Sequence, residues 1–149
     1  MPLSEMMAIV EALMIAKQRH DIEGLLALYT PDCVIEQPSL GVHSVGHAAI
    51  RPGLEQFARH FPDYRRGFDG AGMDGDTLCS WGPARFTLAG PINGHVPNGR
   101  EVTVMTFVLF RFSDHRICHE GHHWDLASVC RQSGLSLNAF APAEAPGLR

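Results

Sequence analysis

The sequence predicts a single α+β domain, and three observations carry that prediction. At 149 residues the chain has the size of one domain with one buried core. Its first part, up to His60, repeats apolar residues at helical spacing, whereas the part after Pro62 alternates in the manner of strands. No repeat and no linker-like stretch divides the two parts. Helices followed by a run of strands predict an antiparallel sheet with the helices laid on one of its faces.

Each element has a local reason. Met6, Val10, Leu13, Met14 and Lys17 share one face of a first helix, with Ser4 as its expected N-cap. Asp21 caps a second helix, "IEGLLALY", which Pro31 stops. "CVIEQ" (33–37) is a short strand closed by Pro38 and Gly41. A third helix covers 47–61, with Pro52 near its start, where a missing N–H costs least. Then "RRGFDGAGM", "TLCSWGPARFTLAG", "REVTVMTFVLFRF" and "RICHEGHHWD" read as strands joined by turns such as "DGD", "NG" and "SDH". A last helix, "LASVCRQSG", closes a domain spanning 1–137. Residues 138–149 are expected to form a flexible tail.

Composition narrows the function. Net charge is −4, with 12 basic and 16 acidic residues and no basic run, which argues against nucleic acid or an anionic membrane as partner. The N-terminal stretch is apolar, but Glu5 and Glu11 interrupt it and no basic segment precedes it, so it reads as a helix rather than a leader. Cys33, Cys79, Cys118 and Cys130 show no paired spacing and are expected to be reduced thiols in a cytoplasmic protein.

Residues 115–125, "HRICHEGHHWD", hold four of the chain's nine histidines. On a regular strand alternate residues share a face. Ile117, His119, Gly121, His123 and Asp125 then form one set, and Cys118, Glu120, His122 and Trp124 the other, unless a bulge in "EGHH" breaks the parity. A metal site from His119, His123 and Asp125 is disfavoured, because i and i+4 on a strand lie ~13 Å apart.

Several segments together resemble the SnoaL-like polyketide cyclases of the nuclear-transport-factor-2-like (NTF2-like) superfamily. They are "ALYTPDCVI", "VGHAAIRPGLEQFARHFPDYR", "GHVPNGREV" and "RICHEGHHWDLASVCRQSGL", in order and at the family's spacing over roughly residues 5–135. The resemblance implies a cone: N-terminal helices on a strongly curved, mainly antiparallel sheet that encloses a ligand cavity. It implies a cofactor-free acid/base enzyme, with no metal, that closes a ring by an intramolecular aldol-type reaction on a small apolar carbonyl compound. The alternative is a non-catalytic small-ligand-binding domain, or a related hydrolase or isomerase.

On this resemblance Asp125 is the general acid/base, with His119 and His123 beside it in the cavity. Gln37, Phe57, Phe61, Val108 and Phe110 are the expected substrate-binding residues, and His43 sits over the cavity mouth. Gly121 stands where family members carry Trp, which implies a wider cavity. The fold's ketosteroid isomerases keep acids at the positions of Gln37 and Val108, so isomerase chemistry is disfavoured. An epoxide-hydrolase set would need Arg111, whose parity points it away from the cavity. Met105, Phe107 and Leu109 project from the outer face of the sheet, with Trp124 on the same side, and predict a homodimer through that face.

Overall fold

The computed structural model describes residues 1–141. Helix α1 (Leu3–Gln18) turns its buried residues Met6, Val10, Leu13 and Met14 to the core; Pro2, not Ser4, precedes its first turn. Asp21 caps α2 (Ile22–Leu28) by accepting a hydrogen bond from the Gly24 N–H. The first strand, β1 (Tyr29–Gln37), begins earlier than expected and runs through Pro31. A 3-10 turn over Pro38–Leu40 ends at Gly41, whose φ of 66° suits glycine. Strand β2 (Val42–Val45) was not anticipated, and it leads into α3 (His47–His60). The remaining strands are β3 (Arg65–Arg66), β4 (Gly70–Asp74), β5 (Thr77–Thr87), β6 (Glu101–Ser113) and β7 (Arg116–Trp124), followed by α4 (Leu126–Ser133).

The seven strands form one sheet in the order β2-β1-β7-β6-β5-β3, with β4 also on β5. Strands β6 and β7 are antiparallel neighbours, as expected, and β1 joins β7 in parallel. The sheet is therefore mixed and open. Strand β6 alternates with little interruption, burying Val102, Val104, Thr106, Val108, Phe110 and Phe112 and turning Thr103, Met105 and Phe107 outward. Its buried side packs with the apolar faces of α1, α2 and α3 into one core. Each such aliphatic or aromatic side chain contributes roughly 1.5–3 kcal/mol on burial.

Strand β7 carries the one irregularity that matters for the site. Arg111 pairs with His119, but Phe112 pairs with Ile117, so Cys118 is an extra residue. On its other edge β7 also slips, with Tyr29 opposite Ile117 and Val34 opposite His119. An extra residue reverses the facing of everything beyond it. Ile117 points inward, and so do Glu120, His122 and Trp124 rather than His119, His123 and Asp125.

The C-terminal end departs from expectation too. Leu137–Phe140 form a 3-10 turn that buries Ala139 and Phe140, so the packed domain runs past residue 137. The rest of the expected tail, 142–149, lies outside the described residues.

Candidate active site

A cavity of about 240 Å³ lies between the sheet's inner face and the helices. Its walls are apolar (Ile35, Leu40, Val42, Ile50, Leu54, Phe57, Phe61, Phe140), and its polar groups converge from α1, β1, the α3–β3 turn and β7. Phe57 on α3 and Phe61, the residue that closes the helix, stack at 4.7 Å between ring centres.

Two hydrogen-bonded sets occupy the polar end. In the first, Glu120, only 3% exposed, accepts from Lys17 Nζ at 2.9 Å and from Tyr29 Oη at 2.5 Å. Burial pushes its carboxyl up, but the Lys17 ammonium and the two hydrogen bonds outweigh this and hold it below its ordinary range. It is a desolvated yet ionised carboxylate. Burial and the adjacent Glu120 charge push the Tyr29 phenol well up, so it stays a donor.

In the second set the His122 ring bridges two neighbours. Gln37 Nε2 lies 3.3 Å from Nδ1, and Tyr64 Oη lies 3.3 Å from Nε2. Burial, with Lys17 nearby, pushes His122 down to about 3, so the ring is neutral at physiological pH. With the Gln37 amide donating to Nδ1, the ring proton sits on Nε2 and is given to Tyr64 Oη. The Tyr64 hydroxyl, whose pKa burial raises, then keeps its own proton to donate.

The residues expected at the site divide. Gln37, Phe57 and Phe61 line the cavity. Val108 and Phe110 do not border it; they are fully packed core side chains on the inner face. Asp125 is exposed and outside the cavity, where it N-caps α4 by accepting from Ser128 N–H at 3.3 Å. His123 is exposed on the outer face. His119 lies on that face too, with 14% of its side chain exposed and Nε2 3.0 Å from Glu36 Oε2. His43 bonds the other oxygen of Glu36 at 2.9 Å and is exposed, not over the mouth; its β2 neighbours Val42 and Ser44 line the cavity instead.

Gly121 is outward as well: an added Cβ would meet the His119 and His123 rings, so the missing Trp does not widen the cavity. Trp124 is buried against Phe61 and Phe86, not on the outer face. One cause explains His119, Gly121, His123, Trp124 and Asp125 together: the extra residue Cys118.

Residues the sequence reading missed are Glu120, His122, Tyr29, Tyr64 and Lys17. A signal existed for Lys17, a charged residue in the otherwise apolar stripe of α1. For the β7 pair the signal was the allowance for a bulge in "EGHH"; the bulge lies just before that stretch, at Cys118, where pairing with β1 and β6 sets it.

The profile of the SnoaL-like domain family matches residues 10–120. The chain belongs to the SnoaL-like family. Solved structures agree on the NTF2-like fold. An NTF2-like protein of unknown function from Burkholderia pseudomallei is 25% identical, covering 88% of this chain and 98% of its own, with a TM-score of 0.73. IdmH from Streptomyces antibioticus, a proposed polyketide cyclase, is 26% identical over 86% of this chain and 97% of its own, with a TM-score of 0.70. A SnoaL-like protein from Jannaschia, also a proposed polyketide cyclase, reaches a TM-score of 0.78 at 18% identity, over 89% and 94% of the two chains. A search of curated proteins gives no match. Among the described residues of this SnoaL-like chain, no helix is long and apolar enough to cross a membrane.

Proposed function

We propose that this SnoaL-like protein is a cofactor-free acid/base enzyme acting on a small, largely apolar carbonyl compound, with ring closure of the cyclase type as its reaction class. The observation that carries the reading is a buried, ionised carboxylate facing a neutral imidazole–phenol pair in one apolar cavity. Glu120 takes a proton from the carbon next to the carbonyl. Tyr64 Oη, oriented by His122, donates to the oxygen where enolate charge develops. Lys17 and Tyr29 hold the carboxylate ionised before the transfer. The enolate then attacks a second carbonyl of the same molecule.

Charge balance supports this division of work. Arg66 is buried and bonded to Thr106 and to Ser80, and among the described residues no carboxylate bonds it. With Lys17 and Glu120 it leaves the interior with a positive excess, which favours a developing enolate. At about 240 Å³ the cavity falls just below the range of roughly 300–1,000 Å³ common for ligand sites, so the ligand is compact. Phe57 and Phe61 offer it a flat wall.

The alternative, a binding domain without chemistry, draws on one specific observation: both Glu120 oxygens already accept hydrogen bonds. A carboxylate has about four lone-pair sites, so the two bonds leave room for a third partner.

A homodimer through the outer face is part of the proposal. Met105 and Phe107 are 43% and 50% exposed there, flanked by Leu109 on the same strand. A cytoplasmic setting fits the four unpaired cysteines.

Enolisation is testable without the natural substrate. Incubating the protein with a panel of β-diketones and β-ketoesters in deuterated buffer, followed by proton NMR, reads exchange at the acidic carbon. The proposal expects catalysed exchange that falls when Tyr64 is replaced by Phe. Binding without any catalysed exchange would favour the binding-domain reading.

A further inference from the structure

Lys17 is the only lysine in the 149 residues; every other basic residue of the 12 is an arginine. Surface ion pairs use arginine, as in Arg51 with Glu23 and Arg65 with Glu101. The single lysine is placed on the last turn of α1, with 10% of its side chain exposed, at the wall of the cavity. The two side chains differ chemically. A guanidinium stays protonated, whereas a buried ammonium can give up its proton and become a nucleophile.

The surroundings hold the Lys17 amine at the cavity wall, within reach of a bound ligand. Lys17 Nζ is 2.9 Å from Glu120 Oε1 and 5.7 Å from the centre of the Phe57 ring. Of its three donors, one is committed to Glu120.

We propose that Lys17 captures an aldehyde or ketone in this cavity as an imine, so that the ligand class is a reactive carbonyl compound held covalently. The inference rests on the cavity being the carbonyl site described above. Nζ loses one proton to solvent, and the free amine forms a C–N bond to the carbonyl carbon. The carbonyl π pair moves to oxygen, which takes up a proton to give the carbinolamine. A second proton passes from nitrogen to oxygen, the C–O bond breaks, and water leaves as C=N forms. The imine nitrogen takes up a proton from solvent, and Glu120 stays ionised throughout. Overall an ammonium and a carbonyl give a protonated imine and water, with no oxidation, and the product ion stays beside the Glu120 carboxylate. That cation acidifies the neighbouring C–H, the same bond the acid/base reading needs to break.

The test uses the full chain with benzaldehyde as probe and sodium borohydride as trap, read by intact mass and peptide mapping. The 149 residues hold one lysine, and mapping separates an adduct there from one on the α-amine. The expected result is one adduct on Lys17, its mass gain equal to the aldehyde less its oxygen. It forms at least about 100-fold faster than with N-acetyl-lysine, a modest share of what positioning can supply. Lys17→Arg, which keeps the ion pair and cannot form an imine, loses the adduct; if that variant does not fold, the wild-type map decides. Labelling at Met1 alone, or at Lys17 no faster than the free amine, overturns the proposal. Glu120-dependent deuterium exchange into β-diketones with no Lys17 adduct overturns the imine and leaves the acid/base reading intact. An adduct without exchange does the reverse.

Discussion

A neutral histidine in a buried site leaves a trace in the pH dependence of stability. The folded pKa of His122 is about 3, below its ordinary 6.5. As pH falls below 6.5 the unfolded chain gains a proton that the folded chain refuses, so stability drops by up to about 1.4 kcal/mol per pH unit. Glu120, also shifted down, stabilises the fold above its ordinary 4.5 and loses that contribution as pH falls through its folded value. The window from 6.5 to 4.5 thus belongs to His122 and not to Glu120. Urea titrations across it should show falling stability in the wild type and a flatter profile in His122→Gln; a flat wild type would contradict the neutral buried ring. Tyr29→Phe removes a hydrogen bond to a charged group and should cost about 1.5–3 kcal/mol in the same assay. Asp125→Ala removes only a helix cap, so about 1 kcal/mol is expected, with ligand binding unchanged.

Among the elements, β7 shows how far local pattern carries a reading. The helices, the long strand β6 and the antiparallel pairing of β6 with β7 were legible because their apolar periodicity is nearly unbroken. Gln37, Phe57 and Phe61 were legible as cavity residues because β1 and α3 keep their regular facing. The facing of Glu120 and His122 was not. A one-residue bulge at Cys118 reverses it, and the bulge arises where β7 must match a parallel neighbour on one edge and an antiparallel one on the other. Deleting Cys118 should therefore be far worse than replacing it: the deletion would turn Glu120, His122 and Trp124 outward, and we expect loss of the cooperative unfolding transition. Cys118→Ser should unfold nearly as the wild type does. Close approach matters elsewhere in the sheet, since a Cβ on Gly82 would lie 2.0 Å from the Gly67 carbonyl oxygen. Gly82→Ala is expected to destabilise by about 3 kcal/mol or more, because backbone has to move.

At the scale of the whole molecule, one face of the sheet holds the cavity and the other presents an apolar stripe. Sedimentation at micromolar concentration should give a dimer in the wild type and a monomer in Phe107→Asp; a wild-type monomer would remove the outer face as an interface. The central claim, however, concerns the inner face: Glu120, not Asp125, is the group that moves the proton. Breaking the buried Lys17–Glu120 pair costs about 3–5 kcal/mol, so folding of each variant is checked by circular dichroism first. The deciding measurement is β-diketone deuterium exchange, run side by side for Glu120→Gln, Glu120→Asp and Asp125→Asn. The account predicts that exchange collapses in Glu120→Gln, returns in part in Glu120→Asp and is unchanged in Asp125→Asn. Exchange that survives in Glu120→Gln and disappears in Asp125→Asn would contradict it.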